Sequence, residues 1–254
     1  MFAFYIYLNQ IFFIMELNKT YNINCLDGIS LLKKQDLIPN LIICDPPYEF
    51  ENKGGGLYSL KRTKKIMNKI KEIGTDSFNF DLYIPHILDL QKDKVNAYFF
   101  CNKALLPKYL NLAVERNLIL DILILHKKNP IPSFNNSFMN DVEYIVFLRS
   151  KGVYFSSKQG YKCYKKVFEV VIGSSNYVHP NQKPTELLRN FIKISSDKKD
   201  LILDCFMGSG SLGIACKEEG RSFIGFEINE EYSLLSNTRY KTHSVIKLNS
   251  FFQN

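Results

Sequence analysis

The residues best suited to chemistry form one short turn, Asp45-Pro46-Pro47-Tyr48, directly after the apolar run 41–44. Two consecutive prolines fix the backbone and lack an N–H, so the turn is stiff and the Pro46 carbonyl has no ladder partner. This carbonyl and the Asp45 carboxylate are two acceptors with nothing to donate. Tyr48 adds a flat ring. The set suits the exocyclic amino group of a nucleobase, although a rigid surface turn explains the same four residues equally well.

The second candidate site is a glycine-rich turn near the other end of the chain. The apolar run 201–204 leads into Gly208 and Gly210, and with Gly213 these glycines satisfy the pattern G-x-G-x-x-G. Glu227 lies 227 − 208 = 19 positions after Gly208, where an acid that binds ribose hydroxyls is expected. The spacing predicts a cofactor that contains a nucleoside, without indicating which one.

Together the two turns resemble the paired motifs of amino-group DNA methyltransferases, which use S-adenosylmethionine. Residues 45–48 are similar to the catalytic loop of these enzymes, and residues 204–210, Asp-x-Phe-x-Gly-x-Gly, are similar to their cofactor loop. Residues 179–184, His-Pro-Asn-Gln-Lys-Pro, resemble the segment beside the methionine end of the cofactor. The catalytic loop comes first and the cofactor loop last, which is the order of the β group. The resemblance runs from about Tyr21 to Tyr232.

The resemblance also implies roles for single residues. Glu227 is expected to bind the ribose hydroxyls, Asp204 the methionine ammonium and Lys183 the methionine carboxylate. No metal is expected, because the four histidines show no spacing suited to a metal site. The predicted catalytic residues are Asp45, Pro46, Pro47 and Tyr48. The predicted cofactor-binding residues are Asn24, Cys25, Asp45, Lys183, Asp204, Phe206, Gly208, Gly210 and Glu227.

One position departs from the family pattern. Many β-group enzymes carry the sequence acid-Cys-Leu after their first strand, whereas this chain has Asn24-Cys25-Leu26. An asparagine side chain can still accept a hydrogen bond from the amino group of the cofactor's adenine. Asp27 is predicted to cap the helix that follows.

Apolar strands that alternate with helices must position these residues. The pattern predicts strands at 20–25, 41–44, 96–101, 120–125, 143–148, 201–204 and 223–227. It predicts helices at 29–34, 81–90 and 104–116, and another that begins at 211 and ends near Gly220. The fold class that the resemblance implies is α/β: a Rossmann-like S-adenosylmethionine-dependent methyltransferase fold with a mostly parallel seven-stranded sheet and a circularly permuted motif order.

Length and composition favour one domain. The chain has 254 residues, of which 46% are hydrophobic, enough for one α/β core. We expect the methyltransferase domain to cover residues 15–254, after an apolar extension at 1–14 that is too short to span a bilayer. Residues 151–177 interleave aromatic side chains with lysines and lie where β-group enzymes carry a target-recognition segment. The same pattern also fits aromatics in the core and lysines in solvent.

Charge and cysteine usage indicate the partners and the compartment. The net charge of +8 and the basic cluster at 61–71 suit a phosphate backbone, although such a cluster is also typical of a solvated helix face. The six cysteines form no C-x-x-C pair, which argues against zinc and disulfides and favours a cytoplasmic protein without a membrane partner. We therefore expect double-stranded DNA as the substrate and a homodimer as the assembly. A cognate restriction endonuclease is left open.

The predicted reaction is methyl transfer to an exocyclic amino group in DNA, at N6 of adenine in preference to N4 of cytosine. A nicotinamide-dependent oxidoreductase also fits the glycine spacing, but only 254 − 227 = 27 residues follow Glu227, and the 45–48 turn is then unexplained. A basic DNA-binding module with a degenerate core is the remaining alternative. The presence of the acid, the prolines and the aromatic ring opposes it.

Overall fold

A computed structural model of the chain describes residues 14–47, 78–130, 138–171 and 182–242. Tyr48, the basic cluster at 61–71, residues 179–181 and residues 1–13 lie outside these ranges. The strands are β1 (Lys19–Asn22), β2 (Leu41–Cys44), β3 (Asn96–Cys101), β4 (Ile119–Lys127), β5 (Val142–Arg149), β6 (Val167–Val170), β7 (Leu201–Asp204) and β8 (Ser222–Glu227). The α-helices are α1 (Cys25–Lys34), α2 (Phe80–Leu88), α3 (Leu106–Glu115), α4 (Thr185–Ser195), α5 (Ser211–Glu219) and α6 (Glu230–Thr242).

All these strands belong to one sheet, in the order β1-β8-β7-β2-β3-β5-β4-β6. β5 pairs antiparallel with β3 and β4, and every other pairing is parallel, so β5 alone runs against the common direction in the described sheet. The predicted α/β fold with a mostly parallel sheet is confirmed. The predicted strand number of seven is corrected, because the described residues form eight strands, of which the added one, 167–170, pairs with the edge of β4.

The chain reverses its direction of travel through the sheet between β7 and β2. From β2 it continues to β3 on one side, whereas from β7 it continues to β8 on the other side. Such a reversal opens a crevice at the carboxyl ends of the two strands, where ligands of open α/β sheets bind. The early strand β2 and the late strand β7 are neighbours, with Ile42 opposite Leu203. This is the permuted order that the resemblance implies.

Helices cover both faces of the sheet, and β2 shows how one strand serves two cores. Ile42 and Cys44 belong to a core with α1, α2 and α3, while Leu41 and Ile43 belong to a core with α4 and α5. All four side chains are buried. Because successive side chains of a strand point to opposite faces, an uninterrupted apolar run is what a strand between two helix layers requires.

The first strand is shorter than the sequence predicts. β1 ends at Asn22, and Cys25, the predicted last residue of the strand, is the first residue of α1. Asn24 caps this helix, because its side chain accepts a hydrogen bond from the N–H of Leu26 at 2.9 Å. The prediction that Asp27 is the cap is wrong, since Asp27 lies inside the first turn.

The start of the described chain is anchored to the core. Met15, the residue at which we expect the domain to begin, is 4% exposed, whereas the preceding Ile14 is 74% exposed. The N–H of Met15 donates to the Gln35 side chain at 2.8 Å. Among the helices of the described ranges, none is long and apolar enough to cross a membrane.

Candidate active site

The carboxyl edge of the sheet collects acids that are far apart in sequence. Asp45 follows β2, Asp204 ends the neighbouring β7, and Glu227 ends β8, which lies next to β7. Asp204 and Glu227 are each 8% exposed. Asn24 follows β1, one strand further along the same edge. Three carboxyl groups therefore lie at three adjacent strand ends, at the point where the chain reverses its direction through the sheet.

Asp45 takes part in an ion-pair cluster that the sequence does not predict. The Lys183 ammonium lies 3.0 Å from Oδ2 of Asp45 and 2.5 Å from Oε1 of Glu143. A second lysine, Lys127, lies 3.9 Å from Oε2 of Glu143. The side chains of Lys183 and Glu143 are 11% and 12% exposed, against 26% for Asp45. The more accessible carboxylate of Asp45 therefore contacts a buried ion pair formed by Lys183 and Glu143.

Strand direction explains how Glu143 reaches this cluster. β5 runs against its neighbours, so its first residues lie at the edge where the parallel strands end. In the register of β3 with β5, Tyr144 lies opposite Cys101, the last residue of β3. Lys183 comes from the chain just before α4, and its ammonium lies 4.7 Å from the centre of the Phe100 ring.

Charge balance keeps Lys183 protonated. Burial lowers the pKa of its ammonium, but the charges of Asp45 and Glu143 raise it by more, so that the pKa lies above its ordinary value. Lys183 is therefore a cation at neutral pH and gives Asp45 a fixed positive partner. The Lys183 ammonium thus faces two protein carboxylates. Its role as partner of the methionine carboxylate stays a prediction.

Glu227 holds the glycine-rich turn. Its Oε2 accepts a hydrogen bond from the N–H of Gly208 at 2.7 Å, and its Oε1 accepts one from the N–H of Asn229 at 2.9 Å. Burial raises the pKa of the Glu227 carboxyl, and these N–H groups oppose the rise. Because each carboxylate oxygen can accept more than one hydrogen bond, the group can hold the turn and still receive ribose hydroxyls.

The turn itself depends on glycines with a positive φ. Gly208 and Gly210 have φ values of 52° and 84°, a region that residues with a Cβ rarely adopt. A Cβ at Gly210 would also lie 2.8 Å from Cα of Ser236 on α6. Arg239 of the same helix donates a hydrogen bond to the carbonyl of Ser209 in the middle of the turn. Helix α6 therefore supports the turn from behind.

Asp204 is buried at the start of the turn. Its Oδ1 accepts a hydrogen bond from the N–H of Phe206 at 2.9 Å. Burial raises the pKa of the Asp204 carboxyl to about 8, and the charges of Asp45 and Glu227 also raise it. The carboxyl group is therefore mostly protonated at neutral pH. An approaching ammonium group would favour its ionised form.

The remaining predicted cofactor residues pack beneath and beside the turn. The predicted residue Cys25 is buried, as are Cys44 and Cys205, which are not predicted to bind the cofactor. The N–H of Cys205 donates to Sγ of Cys44 at 3.3 Å. Burial raises the pKa of the Cys44 thiol to about 11, so this thiol is not a nucleophile at neutral pH. All six cysteines are free thiols. Phe206 packs edge-on against Phe78, with ring centres 5.8 Å apart.

Comparison with known proteins adds an independent observation. The N6_N4_Mtase family, described as DNA methylase, matches residues 39–238. This match spans both predicted motifs and covers more than half of the chain.

The chain belongs to this DNA methylase family.

Curated relatives of this methylase agree with the assignment. A type II methyltransferase of Moraxella bovis, M2.MboI, is 31% identical over 258 residues, which cover 93% of this chain and 93% of the relative. A second one from the same organism, M1.MboII, is 26% identical over 268 residues, which cover 86% of this chain and 94% of the relative. The resemblance inferred from the two motifs is confirmed, and so is the dependence on S-adenosylmethionine that it implies.

Solved structures of similar proteins share the fold of this methylase. The complex of M1.HpyAVI with S-adenosylmethionine has a TM-score of 0.65 at 24% identity, over 87% of this chain and 98% of that one. The cytosine-N4-specific PvuII DNA methyltransferase has a TM-score of 0.64 at 15% identity, over 91% of this chain and 89% of that one. The likeness at this level of identity concerns the fold alone.

Two residues that support the site of this methylase, Glu143 and Arg239, are absent from the predicted site residues. The sequence gives a signal for Glu143, because this single acidic residue directly precedes the apolar run 144–148. Arg239 had none, because a basic residue near the end of a polar helix is ordinarily exposed, whereas this one is 2% exposed. Tyr48, which is predicted to stack on the target base, lies outside the described residues.

The predicted target-recognition segment is divided between core and surface over residues 151–171, the part that the structure describes. Phe168 on β6 packs edge-on against a phenylalanine of α4, with ring centres 5.8 Å apart. The hydroxyl of Tyr164 donates to a backbone carbonyl at 2.7 Å. Tyr161 and Tyr154 are 83% and 45% exposed. Phe155 is 44% exposed as well. These three exposed aromatic side chains suit contact with nucleic acid, and this contact stays a prediction.

Proposed function

We propose that this methylase transfers a methyl group from S-adenosylmethionine to N6 of adenine in double-stranded DNA. The observation that carries the proposal is the position of Asp45 and Pro46 at the end of β2, next to the turn that follows β7. The carboxylate and the carbonyl are acceptors that match the two hydrogens of an amino group. They lie in the crevice where a cofactor and a base can meet.

The residues of the crevice fit the chemistry of the cofactor. Glu227 is a buried acid at the turn where ribose hydroxyls would bind, and Asp204 is a buried acid that an ammonium group would ionise. The hydroxyl of Ser211, at the start of α5, is buried and has no hydrogen-bond partner among the described residues, so it is one more polar group available to a ligand there. S-adenosylmethionine supplies a sulfonium-bound methyl group, whose C–S electron pair returns to sulfur as the N–C bond forms.

Asp45 and Pro46 would orient the target amino group. A base inside a duplex cannot reach the crevice, so it is flipped out at a cost of a few kcal/mol, which stacking on Tyr48 offsets. The two acceptors then bind the amino hydrogens and turn the nitrogen lone pair out of conjugation with the ring. The Asp45 charge favours the positive charge that develops on the nitrogen. After methyl transfer the nitrogen gives up one proton to solvent.

The size of the base and its pairing favour adenine over cytosine. Adenine makes fewer hydrogen bonds in its base pair, so its extrusion from the duplex costs less. Its two-ring system also offers more area for stacking on an aromatic side chain. N4 of cytosine presents the same two hydrogens to Asp45 and Pro46, and it is the second candidate because a fold neighbour is a cytosine-N4-specific enzyme.

The relatives suggest the biological setting. Both curated relatives are type II methyltransferases, so we extend to this chain a site-specific role of that kind, with or without a cognate endonuclease. The homodimer remains part of the proposal, because specific DNA interfaces bury on the order of 1,000 Å² or more of protein. The exposed part of residues 151–171 is a small surface for that purpose.

The test begins with the modified bases. DNA from cells that express the chain is sequenced for methylated positions, and a duplex with the mapped site is then methylated in single-turnover reactions. N6-methyladenine is the expected product. N4-methylcytosine as the product would instead identify N4 of cytosine as the target. Asp45→Asn should slow the transfer about 10- to 100-fold, the equivalent of a lost charged hydrogen bond, at a temperature at which its circular dichroism equals that of the wild type. Wild-type turnover in Asp45→Asn would refute the proposed mechanism.

A further inference from the structure

Glu143 carries a buried charge that the proposed mechanism does not use. Its side chain is 12% exposed, and a carboxylate in such a place is expected only if it is paired. Lys183 at 2.5 Å and Lys127 at 3.9 Å are among its partners. Lys183 also lies 3.0 Å from Asp45. One ammonium group therefore links Glu143 to the carboxylate that would receive the target amino group.

We propose that Glu143 is a positioning residue for methyl transfer, which holds Asp45 in place through Lys183 and offsets the positive charge that Lys183 brings to the reacting group. The inference rests on the proposed role of Asp45 as acceptor of the target amino group. It adds a residue on a strand far in sequence from both motifs.

The strand pairing supports the positioning role. Glu143 belongs to β5, which is paired on both sides, with β3 and with β4. Lys183 lies in the chain before α4, outside any helix or strand. An ammonium held by a carboxylate of the sheet loses most of its rotamer freedom, and it transfers this restraint to Oδ2 of Asp45. The orientation of the Asp45 carboxylate therefore depends on the sheet through two charged contacts.

The charges around Asp45 support the electrostatic role. Positive charge develops on the attacking nitrogen during methyl transfer, and the Lys183 ammonium opposes it. Among the ion pairs that the structure describes here, the ammonium groups of Lys183 and Lys127 would outnumber the carboxylate of Asp45 without Glu143; with Glu143, two ammonium groups face two carboxylates. Solvent screens such charges little in a largely buried site. Glu143 therefore offsets the Lys183 charge, so that the negative charge of Asp45 stabilises the positive charge on the nitrogen.

The first test compares Glu143→Gln with the matched control Asp141→Asn. Asp141 lies two residues earlier, is 37% exposed at its side chain and faces His126 at 3.9 Å. We expect Glu143→Gln to slow single-turnover methylation about 10- to 100-fold, with unchanged S-adenosylmethionine affinity by calorimetry. The melting temperature should fall, because a buried ammonium loses one of its carboxylates, so rates are compared at a temperature at which the circular dichroism of the variant equals that of the wild type. Glu143→Asp should recover part of the rate, because it restores the charge. Asp141→Asn should stay within about twofold of the wild type.

The second test asks whether Glu143 acts through Lys183. In a Lys183→Met background, Glu143→Gln should slow the reaction by less than about threefold, because coupled residues are not additive. Nitrogen NMR of the protein without cofactor gives a readout independent of activity. The pKa of Lys183 should fall in Glu143→Gln, since one of the two carboxylates that raise it is lost.

The outcomes separate this inference from the proposed function. A wild-type rate in Glu143→Gln, an equal effect with and without Lys183, or an unchanged Lys183 titration would overturn the inference while leaving methylation by the wild type in place. A wild type that transfers no methyl group to DNA would overturn the proposed function and this inference together.

Discussion

Helix α5 has a glycine at each end, and the pair offers a matched test of the cofactor turn. Gly210 precedes the helix and Gly220 follows it, with φ values of 84° and 69°. At either position, alanine would place a Cβ in the left-handed region, which costs about 1–2 kcal/mol. Only at Gly210 does this Cβ meet another element, at 2.8 Å from Cα of Ser236; nothing lies within 4 Å at Gly220.

The two substitutions should therefore differ in their effect on stability. The reduced freedom of the unfolded chain offsets about 0.4–1 kcal/mol in both variants, so Gly220→Ala should lower the free energy of unfolding by about 1 kcal/mol. The overlap with a backbone atom adds about 1–3 kcal/mol at Gly210, which brings its loss to about 2–4 kcal/mol. Each kcal/mol corresponds to about 2–4 °C in melting temperature for a domain of this size.

The cofactor affinity should follow the same order. Gly210 lies in the turn, so its displacement should weaken S-adenosylmethionine, whereas Gly220 lies beyond a nine-residue helix, about 13 Å away. Denaturant unfolding and calorimetric titration of both variants measure the two effects. If Gly210→Ala loses no more stability and no more affinity than Gly220→Ala, the close packing of α6 against the turn does not restrict position 210, and the reasoning is refuted.

The remaining predictions concern the acids of the crevice. Glu227→Ala should weaken the binding of S-adenosylmethionine by roughly 1.5–3 kcal/mol, the value of hydrogen bonds to a charged group. Calorimetry measures the affinity, with Glu230→Ala of α6 as the control, and an unchanged affinity in Glu227→Ala would contradict the prediction. The pKa of Asp204 is about 8 in the folded protein and about 3.9 unfolded. The unfolded chain therefore binds fewer protons between about pH 4 and pH 8, and the free energy of unfolding should fall as the pH rises through this window. Asp204→Asn should remove this fall in denaturant unfolding. Binding of the ligand ammonium should also release a proton from Asp204 at pH 7, which titration in buffers of different ionisation enthalpy detects; an equal release in Asp204→Asn would refute the assignment.

The strands that carry the motifs could be predicted because their local pattern agrees with their environment. β2 and β7 are short apolar runs between breakers, and both are buried between helix layers as such runs require. The resemblance also implies that Asp45 and Asp204 serve one site, because it assigns Asp45 to the catalytic loop and Asp204 to the cofactor loop. Neither prediction needed side-chain detail.

The supporting contacts could not be predicted because they depend on tertiary geometry. Glu143 reaches Asp45 only because β5 runs antiparallel and begins at the edge where its neighbours end. The direction of β5 has no local signature in the sequence. Likewise, the predicted boundary between β1 and α1 lies too late in the chain, because Asn24 caps a helix that already begins at Cys25.

The wide sequence separation of β2 and β7 has a consequence for synthesis of the chain. Cys44 and Cys205 are in contact across 161 positions, so β2 leaves the ribosome roughly 10–30 s before its neighbour on that side exists. During this interval β2 can pair with β3 alone, and its other edge is an apolar strand without a partner, a typical site of aggregation. The last segment of the chain then adds β7, the glycine turn and β8 together. Nascent chains interrupted before this point would be substrates for chaperones and proteases, and would have no capacity to bind the cofactor that could rescue them.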